Sequence, residues 1–195
     1  MATIESNILL DQLSTEIQEI IDEANLRFND LRINQLVWKP DDNVWGINEV
    51  LEHVNLFGRY YLVEIQNKLD QANSSEKVND PLFRSGFWGN LITKSMGLNK
   101  NQNVKIKMKT GKGYDPSIDQ IMNNEVFKEF ISQHGQLLNL LDSARMVNLI
   151  KIKIPIPFFK ILKLRLGDCF AFMVAHNKRH LVQAKRVIKF PGFPN

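Results

Sequence analysis

Histidine is the residue type in this chain whose spacing could support chemistry. The chain has four histidines, and two of them, His176 and His180, stand four residues apart in a stretch predicted to be helical. At that spacing two side chains leave a helix on one face, with about 40° of rotation and ~6 Å of rise between them. His53 lies in a second predicted helix, and facing helices are where helical bundles hold metal ions. The three imidazoles therefore predict a divalent metal site.

Imidazole ligands limit the metal to a few candidates. Neutral imidazoles suit Zn, Ni, Cu or Fe(II), and three of them leave at least one coordination position for water or a substrate. We expect Zn or Ni, with Fe or Mn as alternatives. By itself, however, a pair of histidines four residues apart is more often two polar side chains than a metal site.

Three further titratable residues are predicted to have ordinary roles. His134 has no histidine at helical spacing, so we expect it to face solvent or to be a satisfied polar group, and it is not counted as a ligand. Glu49 and Glu52 precede His53 closely. Capping of a helix start and exposure to solvent are their expected fates, so no general base is assigned.

Four amphipathic helices are predicted to position the histidines. Their apolar residues recur at helical spacing, and their ends are indicated by Pro40, by Gly46 and by the pair Asp115 and Pro116, an N-cap followed by proline in the first helical position. The predicted spans are approximately 8–28, 46–69, 115–145 and 167–188. This pattern predicts an all-α fold, a four-helix bundle, in a single domain over residues 1–195.

A long connection separates the second predicted helix from the third. Because a structureless connection of such length is unusual, it is predicted to be ordered, with a short helix around 87–96 and an extended piece at 104–109. Segment 150–159 alternates apolar and basic residues. Its two prolines exclude a central strand and predict an edge strand or an extended loop.

Composition indicates the compartment and excludes some classes of protein. At 195 residues and 44% hydrophobic residues, the chain can build one sizeable core. Cys169 is the single cysteine, so no intramolecular disulfide can form, and a reducing compartment is indicated. The N-terminus lacks the basic start and apolar run of a secretion signal. We expect a cytoplasmic protein that does not span a membrane.

Charge is distributed unevenly along the chain. Residues 1–80 carry 15 acidic and 6 basic side chains, net −9, whereas residues 81–195 carry 6 acidic and 19 basic, net +13. Opposite halves attract each other within one fold, and a positive half also attracts an anionic partner. The sequence leaves both explanations open.

The basic segment 81–113 has no acidic residue. It is predicted to be a solvated loop or, alternatively, to attract an anionic thiol or substrate to the open end of the bundle. Nucleic acid is not expected as a partner, because the segment lacks a recognition helix and interleaved aromatic residues. A membrane-surface role through Phe83, Phe87 and Trp88 is the weaker option, since these rings could equally belong to the core.

Two sequence motifs, one on each side of this connection, resemble a known family. Trp38-Lys39-Pro40 is followed by the stretch 45–53, which ends in His53, and the stretch 176–183 reads His-Asn-Lys-Arg-His-Leu-Val-Gln. In order and separation these motifs are similar to those of the DinB/YfiT-like superfamily. Its members are four-helix bundles that bind a divalent metal through three histidines.

The resemblance assigns roles to five residues. It implies that His53, His176 and His180 are the metal ligands, that Trp45 packs under the entry of the second helix, and that Gln183 lies near the site as an orienting group. This chain departs from the family at Gly46, where a small polar residue often caps the helix. Without a side chain, this residue supplies only half of a capping box.

The resemblance also implies an activity. Characterised relatives move a low-molecular-weight thiol onto electrophiles or use one in an isomerisation, and others are suspected hydrolases. We therefore expect a small-molecule substrate and a metal-dependent thiol S-transferase. A metal-dependent hydrolase and a non-catalytic, stress-linked binding protein with a structural metal are the alternatives. The sequence leaves the oligomeric state open, and a homodimer is compatible with it.

Overall fold

The fold is mostly helical and carries two short antiparallel strand pairs. A computed structural model describes residues 3–76, 81–97, 113–116, 122, 125–157 and 159–195. In chain order the described elements are β1 Thr3–Glu5, α1 Ser6–Phe28, α2 Ile33–Leu36, α3 Ile47–Asp70, β2 Leu82–Arg84, α4 Phe87–Met96, α5 Glu125–Ser143, β3 Lys153–Ile156, β4 Phe159–Arg165 and α6 Leu166–Val187. A 3-10 turn, Ala144–Met146, follows α5.

The four long helices pack in pairs around a common core. Helix α1 packs against α5 and α6, and α3 packs against the same two helices. The buried apolar residues of α1 recur every three or four positions, as a helix with one buried face requires: Leu10, Leu13, Ile17, Ile20, Ala24 and Phe28. Burying each of the larger side chains stabilises the fold by about 1.5–3 kcal/mol. The core therefore holds α3 and α6, which carry the three histidines, side by side.

The opposite charges of the two halves meet across the interface of α1 with the later helices. Lys178 lies 3.1 Å from Glu16, and Lys185 lies 2.5 Å from Glu23. These pairs are partly exposed, so each contributes at most about 1 kcal/mol. They nevertheless support the explanation in which the acidic half of the chain attracts its own basic half.

The start of α3 explains the glycine that departs from the family pattern. The N–H of Gly46 donates to Glu49 Oε2 at 2.8 Å, and Lys39 Nζ lies 3.0 Å from Glu49 Oε1, so the capping role predicted for this carboxylate is confirmed. A Cβ on residue 46 would lie 2.5 Å from the carbonyl oxygen of Trp38. Glycine is required because the chain from Trp38 to Trp45, which we call the tryptophan turn, crosses directly over the helix start.

Several predicted elements are confirmed, and others are wrong. The first, second and fourth long helices and the short helix at 87–96 lie within about two residues of their predicted spans. A continuous third helix from residue 115 is wrong, because Met122 is not helical and α5 begins at Glu125. The extended piece predicted at 104–109 lies outside the described residues.

The mostly helical structure agrees with the all-α prediction, and two short strand pairs add to it. Strand β1 pairs with β2 and thereby ties the N-terminus to the chain preceding α4. Strands β3 and β4 form an antiparallel pair in which Pro155 lies opposite Lys163. A two-stranded sheet has only edges, which is where proline is tolerated, so the edge strand predicted for segment 150–159 is confirmed. Across the described residues, every helix is too short or too polar to span a lipid bilayer.

A close approach between α3 and α5 depends on Gly58. A Cβ at this position would overlap the side-chain oxygen of Gln133. The Gln133 amide cannot easily move away, because its Nε2 donates to the Asn55 carbonyl at 3.2 Å and to Glu129 Oε1 at 2.7 Å. Gly58 therefore allows the helix that carries His53 and the helix that carries His134 to pack closely at this point.

We expect Gly58→Ala to lower the free energy of unfolding by about 1–3 kcal/mol, because the added methyl group forces the two helices apart. The matched control is Gly135→Ala, also within a helix, where a Cβ would meet nothing within 4 Å. That variant should gain about 0.5–1 kcal/mol from higher helix propensity. Urea denaturation measures both changes. Equal effects of the two substitutions would contradict the close approach.

Candidate metal centre

Helices α3 and α6 bring three imidazoles together. His53 comes from the second turn of α3, and His176 and His180 come from the middle of α6. One ring nitrogen from each lies within 4.8 Å of the other two. The ring centroids are 4.5 to 5.3 Å apart. We call this group the histidine centre. The group is close enough to hold one ion.

The outer nitrogen of each imidazole faces a hydrogen-bond acceptor. His53 Nδ1 lies 2.8 Å from the Tyr114 carbonyl oxygen, His180 Nδ1 lies 3.0 Å from Gln183 Oε1, and His176 Nδ1 lies 3.4 Å from Asn177 Oδ1. An oxygen of these types can only accept, so each Nδ1 carries the proton. The Nε2 atom of each ring then has a free lone pair, which is the form that binds a metal.

Burial keeps the histidine centre neutral. It lowers the pKa of His176 to about 3, with a further contribution from His53, and it lowers the pKa of His180 well below the ordinary value. Burial also lowers the pKa of His53, while the Tyr114 carbonyl and Asp115 act in the opposite direction. Three uncharged imidazoles are therefore present at neutral pH, as metal binding requires.

Aromatic rings enclose the centre on the α3 side. The ring of Trp45 lies 5.2 Å from that of His53, and the ring of Phe57 lies 4.5 Å from that of His176. Tyr114 packs on Phe57 with 4.3 Å between centroids. These rings limit contact with water, so electrostatic interactions at the centre are stronger than in solution.

Comparison with known protein families agrees with this arrangement. The model of the DinB superfamily matches residues 16–184, a range that includes most of the chain and all three histidines. The chain belongs to the DinB superfamily. Neither the comparison with curated proteins nor the comparison with solved structures gives a match. The resemblance seen in the tryptophan turn and in the histidine motifs is thus confirmed at the level of the superfamily.

Part of the long connection of this DinB superfamily member reaches the histidine centre. Tyr114 and Asp115, predicted as the end of a loop and a helix cap, lie beside His53. Gly113 precedes them with φ of +88°, a conformation that favours glycine. The glycine before an aromatic residue was the only signal for this turn. Of the basic segment 81–113, the lysines at 100–112 lie outside the described residues.

The structure corrects two assignments of polar residues. His134 is 1% exposed, so exposure to solvent is wrong and the alternative of a satisfied polar group is confirmed by its two hydrogen bonds, to Phe130 and Asn177. Glu52 is also 1% exposed and pairs with Arg59 Nη1 at 2.8 Å. Its predicted exposure is wrong because Arg59 follows it at the spacing of two helical turns.

The aromatic residues of the connection divide between core and surface. Phe83 is buried, whereas Phe87 and Trp88 are exposed on α4.

Arg179 brings a positive charge near the centre from α6. After burial, which is the main cause, this charge contributes to the lowered pKa of His53, His176 and His180. A role for Arg179 was not predicted, because an arginine between two histidines carries no distinguishing spacing.

The lowered pKa values predict acid-sensitive stability in the metal-free protein. Histidines of the unfolded chain bind protons as the pH falls through about 6.5, whereas the pKa of folded His134 is about 4 and that of His176 is about 3. Between these values the unfolded state binds more protons. The histidine contribution is therefore fully present above pH 6.5 and is lost as the pH falls.

We expect the free energy of unfolding to fall by about 1 kcal/mol or more per pH unit between pH 6.5 and 4.5. Urea denaturation of the metal-free protein at several pH values measures this slope. His134→Phe removes one titrating group and should give a shallower slope. A flat profile in this window would show that the histidines are not buried in their neutral form.

Proposed function

We propose that this DinB superfamily member is a metal-dependent thiol S-transferase. In this proposal His53, His176 and His180 hold a divalent metal, Zn or Ni in preference to Fe or Mn, at the centre of a four-helix bundle. The observation that carries the proposal is that all three imidazoles are in the same tautomer. Each has its Nδ1 proton held by an acceptor and its Nε2 lone pair left for a metal.

The donor set fits a catalytic metal. Three neutral nitrogen donors leave the ion its full double charge and at least one coordination position. When bound, such a metal would supply Lewis-acid activation, lowering the pKa of a thiol substrate toward neutral pH. Residues Tyr114, Asn177 and Gln183 would hold the three rings in position, and Trp45 and Phe57 would exclude water.

The nucleophilic sulfur has to come from outside the protein. The chain has one cysteine, Cys169, which is fully buried, and burial raises the pKa of its thiol. A buried, protonated thiol is not a nucleophile. This supports a low-molecular-weight thiol as the co-substrate. Arg179, the positive charge beside the centre, would attract a thiol that carries carboxylates.

The proposed reaction needs no further acid or base from the chain. The thiol loses its proton to solvent, its sulfur forms a bond to the electrophilic carbon, and the bond from that carbon to the leaving group breaks with departure of the electron pair. The two glutamates closest to His53 in sequence are engaged elsewhere, Glu49 at the start of α3 and Glu52 with Arg59.

Metal content tests the first half of the proposal. Elemental analysis of tag-free protein, as purified and after reconstitution with Zn or Ni, should give close to one ion per chain. The double variant His176→Ala, His180→Ala should lose it, because one imidazole cannot hold the ion alone. Lys178→Ala, between the two on the same helix, is the matched control and should retain the metal. Equal metal content in the double variant would refute the site.

Turnover tests the second half. Metal-loaded protein should consume an electrophile such as monochlorobimane in the presence of a thiol, and His180→Ala should lower this rate by about 100-fold or more. Circular dichroism verifies that the variant is folded. Equal rates would refute catalysis at this centre. A full complement of metal with no turnover of any thiol would indicate a structural metal, and thiol-independent hydrolysis would favour the hydrolase.

A further inference from the structure

We infer that His134 and Asn177 form a hydrogen-bonded relay that holds His176 in its metal-binding tautomer. The inference rests on the proposed metal site, and it assigns His134, which has no place in the histidine centre, a role as a positioning residue. The relay runs from α5 to α6 through the core. It consists of the Phe130 carbonyl, His134, Asn177 and His176, in that order.

The first link determines which nitrogen of His134 carries the proton. His134 Nδ1 lies 2.7 Å from the carbonyl oxygen of Phe130, one helical turn earlier. A carbonyl oxygen only accepts, so Nδ1 must donate. The ring also packs on Phe130, with 4.1 Å between centroids. With its proton on Nδ1, the neutral imidazole of His134 presents Nε2 to α6 as an acceptor.

The second link determines the orientation of the Asn177 amide. Its Nδ2 lies 3.0 Å from His134 Nε2, and because that nitrogen accepts, the amide must donate there. The amide oxygen then faces the other way, 3.4 Å from His176 Nδ1. An oxygen at this point requires His176 Nδ1 to carry the proton. The Nε2 lone pair of His176 is thereby left for the metal.

This orientation is not determined by the amide itself. An asparagine side chain turned by 180° exchanges its NH₂ group for its oxygen, and an NH₂ group facing His176 would require Nδ1 to accept. The proton of His176 would then be on Nε2, where it blocks metal binding. The amide end that does not face His176 is hydrogen-bonded to His134 Nε2, which can only accept. His134 is therefore the group that selects between the two orientations.

The neighbouring polar side chain on α5 does not compete for this role. Gln133, adjacent to His134, directs its amide to the Asn55 carbonyl and to Glu129 on the α3 side. His53 and His180 have their own acceptors, the Tyr114 carbonyl and Gln183. Loss of the relay should consequently affect His176 alone.

Imidazole ¹⁵N–¹H NMR of the metal-free protein tests the relay. In the wild type we expect the Nδ1–H tautomer for both His134 and His176. In His134→Phe, residue 134 has a ring of similar size that cannot accept a hydrogen bond. The Nε2–H tautomer of His176 should then appear. His53 and His180 serve as internal controls and should be unchanged. An Nε2–H tautomer of His134 in the wild type would overturn the inference even if no variant folds.

Metal affinity in the same variants separates positioning from a loss of packing. We expect His134→Phe to bind Zn about tenfold more weakly. This is the low end of the loss in metal affinity that follows removal of a group that orients a metal ligand. Adding Asn177→Asp should restore the affinity, because a carboxylate presents an oxygen to His176 in either orientation. Weaker binding with an unchanged His176 tautomer, or no rescue by the aspartate, would overturn the relay.

These outcomes are distinct from failure of the proposed function. The tautomers are measured without metal, so absence of metal binding in the wild type would refute the metal site and leave the spectra interpretable. Conversely, a wild-type protein that binds Zn with unexpected tautomers would refute the relay alone.

Discussion

A buried imidazole has to place its N–H against an acceptor, and the site of this protein is organised around that requirement. Leaving such a group unpaired in the core costs about 1–3 kcal/mol. The chain meets the requirement for all four histidines with acceptors of different origin: the Tyr114 carbonyl, the Phe130 carbonyl, the Asn177 amide and the Gln183 amide. Satisfying the N–H groups in this way also leaves an unprotonated Nε2 on each of the three clustered histidines.

This arrangement depends on how closely three helices approach. Helix α3 supplies His53, α6 supplies the histidine pair, and α5 supplies the start of the relay. The missing side chain at Gly58 lets α5 lie close to α3, and the core residues of α1 support the other side of α5 and α6. Ion pairs along α1 and α6 add to this packing at the surface. The precision of the centre is therefore a property of the helix packing.

The centre is closed by chain segments outside the long helices. The tryptophan turn crosses the start of α3 so closely that only glycine fits at position 46, and it places Trp45 against His53. The turn at Gly113 and Tyr114 supplies the carbonyl oxygen that accepts from His53 Nδ1. Both segments connect helices. Trp45 helps to exclude water from His53, which favours the neutral imidazole, whereas the Tyr114 carbonyl and Asp115 raise the pKa of His53.

Local signals explain which parts of this protein could be predicted from sequence. Periodicity and caps located α1, α3 and α6, since these depend on neighbours within a few residues. The same locality explains the confirmed cap at Glu49. The third helix was predicted to start too early, because an N-cap followed by proline is equally compatible with a turn. An edge strand was predicted at 150–159, but the pairing of β1 with β2 was not, since these two strands are distant in sequence.

Residue type and order are enough to identify the three candidate ligands, their helical spacing and the superfamily. The roles of Tyr114, His134, Asn177 and Arg179 become visible in the tertiary structure. Each of these residues acts through a partner on another segment or through burial, and neither is encoded in local spacing. The same is true of the single protonation pattern of the centre, which arises where α3, α5 and α6 meet.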